Sequence, residues 1–189
     1  MPVLNPTAPA AAERSIRTAL HPATRRAPHP LYLDHGALDL ALPLPVHRLS
    51  PVTGSAVPPD ARLTGWRFLL TRDGRAVGAA ETARTPEGWA FSHFCEGPYI
   101  ASTERAVRLA ESLPAPYQPR LLSVPELYML TLWLHSDPAA DPAEGSPQPQ
   151  DLLIPLAPAP PGIAADRAVR TDVLLPVLST RLAPVGLAS

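Results

Sequence analysis

Residues 63–95 read LTGWRFLLTRDGRAVGAAETARTPEGWAFSHFC, and the fold class turns on them. Trp66, Phe68 and Leu70 alternate with Arg67 and Leu69, the period-two pattern of a strand with two unlike faces. Arg72-Asp73-Gly74-Arg75 then turns the chain into Ala76 to Ala83. Asp-Gly between two strand-like runs is a strong hairpin signal, because a type I′ turn needs positive φ at both central residues. Thr85-Pro86-Glu87-Gly88 makes a second turn into Trp89 to Cys95, where simple alternation puts Trp89, Phe91, His93 and Cys95 on one face. Three antiparallel strands in a meander follow.

Downstream, Glu96-Gly97-Pro98 breaks the third strand. Ser102 or Thr103 then caps a helix running to about Leu113, with Ala106, Leu109, Ala110 and Leu113 as its apolar stripe. Pro114, Pro116 and Pro119 end it. Arg120 to Val124 and Leu127 to His135 are strand-like, and the second, apolar on both faces, is expected to be central and buried. Residues 136–150, SDPAADPAEGSPQPQ, carry no aliphatic side chain larger than alanine apart from proline, and read as a disordered surface loop. Leu152 to Leu156 supplies a last strand, with Pro155 suggesting an edge.

Upstream, Pro43, Pro45, Pro51, Pro58 and Pro59 argue that residues 32–44 form an extended edge segment rather than a central strand. Residues 1–30 hold six prolines and read as a flexible arm, in which only Ala11 to Leu20 suits a short helix. Beyond Pro158, Val169, Val173, Leu174, Val177 and Leu178 offer a short apolar helical face kinked by Pro176. The expected organisation is an arm over 1–30, a domain over 31–163 and a tail over 164–189.

The order of elements gives an α+β fold: a single antiparallel sheet of about five to seven strands on one principal helix. The arrangement is similar in spirit to cystatin-like or profilin-like folds. Such folds host many unrelated functions, so function has to come from residues.

Composition narrows the function classes. The formal charge of −1 offers no basic field to gather nucleic acid. All sixteen cationic side chains are arginine, in keeping with the coding bias of a high-GC bacterial genome, and a chain without lysine forms no Schiff base. A lone cysteine, Cys95, makes no internal disulfide, and with no basic, uninterrupted apolar leader and no long apolar run the expectation is a cytoplasmic protein outside the membrane.

The densest chemistry is Ser92-His93-Phe94-Cys95-Glu96. A thiolate nucleophile needs a nearby base, and alternation places His93 and Cys95 on the same face. Their separation of about 7 Å along the strand favours a packed cysteine over a catalytic pair. Glu96-Gly97-Pro98-Tyr99 joins strand to helix and is expected to expose Tyr99 beside helix amides that attract anions. His93, Cys95, Glu96 and Tyr99 are therefore the candidate binding residues. No catalytic residue is assigned, and the six histidines show no metal-binding spacing, so no metal or cofactor is expected. Strand aromatics such as Trp66, Phe68, Trp89, Phe91 and Trp133 are read as core, with some available to line a binding face.

The expected function is a non-enzymatic module that binds another protein through its arms. Homo-oligomers through the sheet edges at 31–44 and 152–156 are the further partner expectation. The alternative is a small-molecule protein or enzyme with a pocket near Cys95, His93 and Tyr99.

Overall fold

The computed structural model describes residues 3–21, 38–50 and 60–183. Within them the meander forms as the turns dictate: β2 (Ala61–Arg72), β3 (Arg75–Thr85) and β4 (Gly88–Cys95) pair antiparallel in succession. Asp73 and Gly74 both take positive φ at the first turn. The fold is α+β, but among the described residues the sheet has eight strands and is mixed rather than purely antiparallel. Its order is β4-β3-β2-β1-β5-β6-β7-β8, where β1 is Asp39–Leu49, β5 Gln118–Val124, β6 Met129–His135, β7 Leu152–Pro155 and β8 Val169–Arg170. One junction is parallel, Val46–Arg48 of β1 against Leu121–Ser123 of β5.

That junction corrects the reading of the proline-rich segment. β1 lies in the middle of the sheet and carries Pro43 and Pro45 inside it. The two prolines pair only with β2, opposite Phe68 and Trp66, while contact with β5 begins at Val46. Over that half β1 has a single neighbour among the described residues, so two ring nitrogens spaced by two can both face away from the ladder. In the strand order the outermost strands are β4 and β8; the first half of β1, residues 39–45, and the end of β7 beyond Leu153 are each paired on one side only, and residues 31–37 of the expected edge lie outside the described residues.

β6 is central and wholly buried, as its two-sided apolar sequence requires. Helix α2 (Pro98–Glu111) begins earlier than Ser102, because Gly97 at φ +98° turns the chain directly from β4 into Pro98 at its first turn. Its Ala106, Val107 and Ala110 pack on Leu44, Val46, Leu121, Leu132, Leu134 and Ile154. Ile100 continues that layer onto Leu69 and Ala79.

Two further helices cover the opposite face. α1 (Ala10–Leu20) drives Ala12 and Ile16, both fully buried, into Trp66, Phe68, Leu70 and Ala80. The described part of the expected arm is thus docked, and Leu4 N donates to Tyr117 O at 2.9 Å. α3 (Thr171–Leu182) holds Pro176 inside it and buries Leu174, Leu175 and Leu178 against Leu122, Trp133 and Leu153. Val173 and Val177, expected on its apolar face, point outward, and Val169 belongs to β8.

Between α1 and α3 the same face is closed by residues 136–150. These run as successive turns tied to the sheet through Arg120, a fully buried side chain of β5. Its guanidinium donates to Glu144 O (2.6 Å), Asp141 O (2.9 Å) and Gln118 Oε1 (2.8 Å), and lies 4.8 Å over the Trp133 ring. Asp151, also buried, accepts from Trp133 Nε1, Ser136 N and Gln148 N. A loop without aliphatic anchors is held here by a cation and a carboxylate in the sheet.

Candidate functional site

The candidate site is set by a single extra residue in β4. From the second turn the pairing runs Thr85 with Gly88, Arg84 with Trp89, Ala83 with Ala90 and Thr82 with Phe91, then jumps to Glu81 with His93. Ser92 is the bulged residue, and a bulge reverses which face the following side chains occupy. Trp89, Phe91 and Phe94 consequently pack on the α1 face, with the Phe91 and Phe94 rings 4.7 Å apart. His93 and Cys95 do share a face, as alternation requires, but it is the α2 face and not that of Trp89 and Phe91.

On that face three strands bring together Arg67, Glu81, His93 and Cys95. Arg67 stands opposite Glu81 and Glu81 opposite His93. Arg67 Nε and Nη2 both engage Glu81 Oε1. This leaves Oε2 directed to His93 Nε2, 3.7 Å away. Ser92 Oγ sits 3.0 Å from His93 Nδ1. The donor atoms of Glu81, His93 and Cys95 all lie within 4.8 Å of one another.

Burial pushes the Cys95 thiol up to about 11, with the Glu81 charge adding to the rise and Arg67 opposing it. Cys95 packs beside Leu69, Ala79 and Ile100. A thiol in that state is protonated at neutral pH, which disfavours thiolate attack. The other two expected residues are elsewhere: Glu96 is exposed on the turn after β4, and Tyr99 leans from α2 towards the β5–β6 connection. Its hydroxyl donates to Tyr128 O at 2.7 Å, with Pro158 O at 3.1 Å as an alternative acceptor, so it braces two loops.

Glu81 and Arg67 were not singled out from sequence. Counting back from the Pro86-Glu87 turn without a bulge sets Glu81 opposite Ser92, which hides its pairing with His93.

The clefts that stand out lie on the α1 side, flanking residues 5–9. The larger, about 510 Å³, is lined by Thr7 to Pro9, Leu63, Trp66, Trp89 and Ala139 to Ala143. A smaller one, about 300 Å³, lies between Asn5 to Ala8 and Leu40, Pro43 and Phe68. Trp66 in the larger wall has a buried indole N–H with no acceptor among the described residues. Comparison with known proteins gives no match to any family model, curated protein or solved structure.

Proposed function

We propose that the protein is a non-enzymatic binding module for another protein, and that it takes an extended proline-rich segment of its partner in the cleft between Trp66, Trp89 and the 139–143 turn. The observation that carries this reading is the wall itself: two tryptophans, Pro9 and Pro142 around an open cleft. Aromatic-lined grooves suit polyproline II segments, whose rigid backbone loses little entropy on docking. The raised Cys95 thiol favours binding over nucleophilic chemistry.

Trimming the termini does not test this, because α1 and α3 bury core side chains. The test uses the full chain titrated with a synthetic proline-rich peptide and a glycine-serine peptide of equal length as control. Indole N–H resonances report on Trp66 and Trp89, while Trp133, in a different cluster, serves as internal reference. The expected result is a saturable shift of the Trp66 indole proton with the proline peptide alone, weakened at least tenfold in Trp89→Ala, about 1.4 kcal/mol. Unmoved Trp66 and Trp89 resonances, or equal shifts with both peptides, would sink the proposal.

A further inference from the structure

We infer that Glu81, His93 and Cys95 form a three-ligand site for a divalent transition metal of the zinc class, with a fourth position open to solvent at the β4 edge. The set combines a soft sulfur, an imidazole and a carboxylate, which selects zinc-like ions over magnesium or calcium. Ligand atoms around a tetrahedral zinc stand roughly 3.3–3.7 Å apart, from bond lengths of about 2.0–2.3 Å. Glu81 Oε2 and His93 Nε2 already meet that at 3.7 Å, and all three ligand atoms lie within 4.8 Å of one another. The His93 side chain is 57% exposed and can close the difference by rotation.

The surrounding groups are those a metal site uses. Arg67 occupies Glu81 Oε1 only, fixing the carboxylate while leaving Oε2 to bind. Ser92 Oγ can accept a hydrogen bond from Nδ1–H, which holds the tautomer that presents the Nε2 lone pair to a metal. The bulge at Ser92 is what turns both His93 and Cys95 towards Glu81, so one residue both aims the ligands and supports one of them. Binding displaces the Cys95 proton. A divalent ion in its place adds one net positive charge beside Arg67, against the full charge of Glu81.

The test is titration of the full-length protein, freed of metal by chelation, with cobalt(II) as a spectroscopic stand-in for zinc. One equivalent should bind with a thiolate-to-cobalt charge-transfer band. Cys95→Ser should abolish the band, and His93→Gln, at an exposed position that leaves the fold intact, should lower affinity at least tenfold. Ser92→Ala should lower it by roughly tenfold to a hundredfold, the usual effect of losing an outer partner. Stoichiometric cobalt without the thiolate band, no cobalt uptake, or His93→Gln binding like the parent protein would each overturn the assignment.

Discussion

Replacing Arg120 tests the claim that a buried cation, rather than aliphatic packing, holds residues 136–150 on the sheet. Arg120→Ala removes three charge-assisted donors and the stacking on Trp133. It also takes the Arg120 charge away from the buried carboxylate of Asp151, with which it interacts electrostatically. Leaving the buried Gln118 Oε1 unpaired costs about 1–3 kcal/mol, and the two loop carbonyls, which can turn to water, about 1 kcal/mol each. The lost cation–π contact adds about 1–2 kcal/mol. Against this, a guanidinium no longer has to be desolvated, which returns several kcal/mol, and the truncated side chain leaves a cavity. The net expectation is about 3–5 kcal/mol, the range for breaking one side of a buried charged cluster. That is a large part of the roughly 5–15 kcal/mol holding a domain together. Urea unfolding gives the magnitude, and amide exchange over 137–148 gives the mechanism. Arg120→Met, which refills the space but restores none of the donors, should recover only the cavity part of the loss and leave 137–148 exchanging fast. The reasoning is refuted if Arg120→Ala falls within 1 kcal/mol of the parent, or if the loop amides stay protected in both variants.

Three other outcomes are expected. His47 is fully buried against Trp133, and burial, helped by Arg120, lowers its pKa from 6.5 to about 4. The unfolded chain therefore takes up this proton first: stability is complete above pH 6.5 and declines between 6.5 and 4 by up to about 1.4 kcal/mol per unit. His47→Phe should flatten that part of a urea-midpoint profile, and an unchanged slope would refute the assignment. Ile16→Ala should cost about 2–4 kcal/mol in chemical unfolding, since Ile16 is fully buried against Trp66 and Phe68; a neutral result would mean α1 is not part of the core. Gly65→Ala should destabilise by more than about 2 kcal/mol, because a Cβ there collides with the Thr82 carbonyl, and unaltered thermal unfolding would show that β3 yields freely.

The sequence made the meander and the centrality of β6 legible because both rest on local rules: Asp73-Gly74 needs positive φ, and Met129–His135 is apolar on both faces. Features that depend on partners elsewhere were not legible. Pro43 and Pro45 count against a central strand until it is known that β5 meets β1 only from Val46. The low aliphatic content of 136–150 points to disorder until Arg120 is seen to anchor it. Of the candidate site, His93 and Cys95 were visible, but the face they occupy was not, because nothing in Phe91-Ser92-His93 announces a bulge. Glu81 became visible only through the register that the bulge creates.

The single parallel seam divides the sheet into two runs of consecutive strands, β1 to β4 and β5 to β8, each closed by short-range antiparallel pairing. Each run can gather itself with little loop-closure entropy, whereas the seam has three residue pairs to join positions some 75 apart in the chain. The two proposed sites differ in how they depend on it. The Glu81, His93 and Cys95 set lies wholly within the first run and forms as soon as that run does. The tryptophan cleft borrows its far wall, Ala139 to Ala143, from the second. On these proposals, partner recognition would be a property of the joined halves, and a chain whose seam had opened would keep the proposed metal ligands while losing the proposed docking surface.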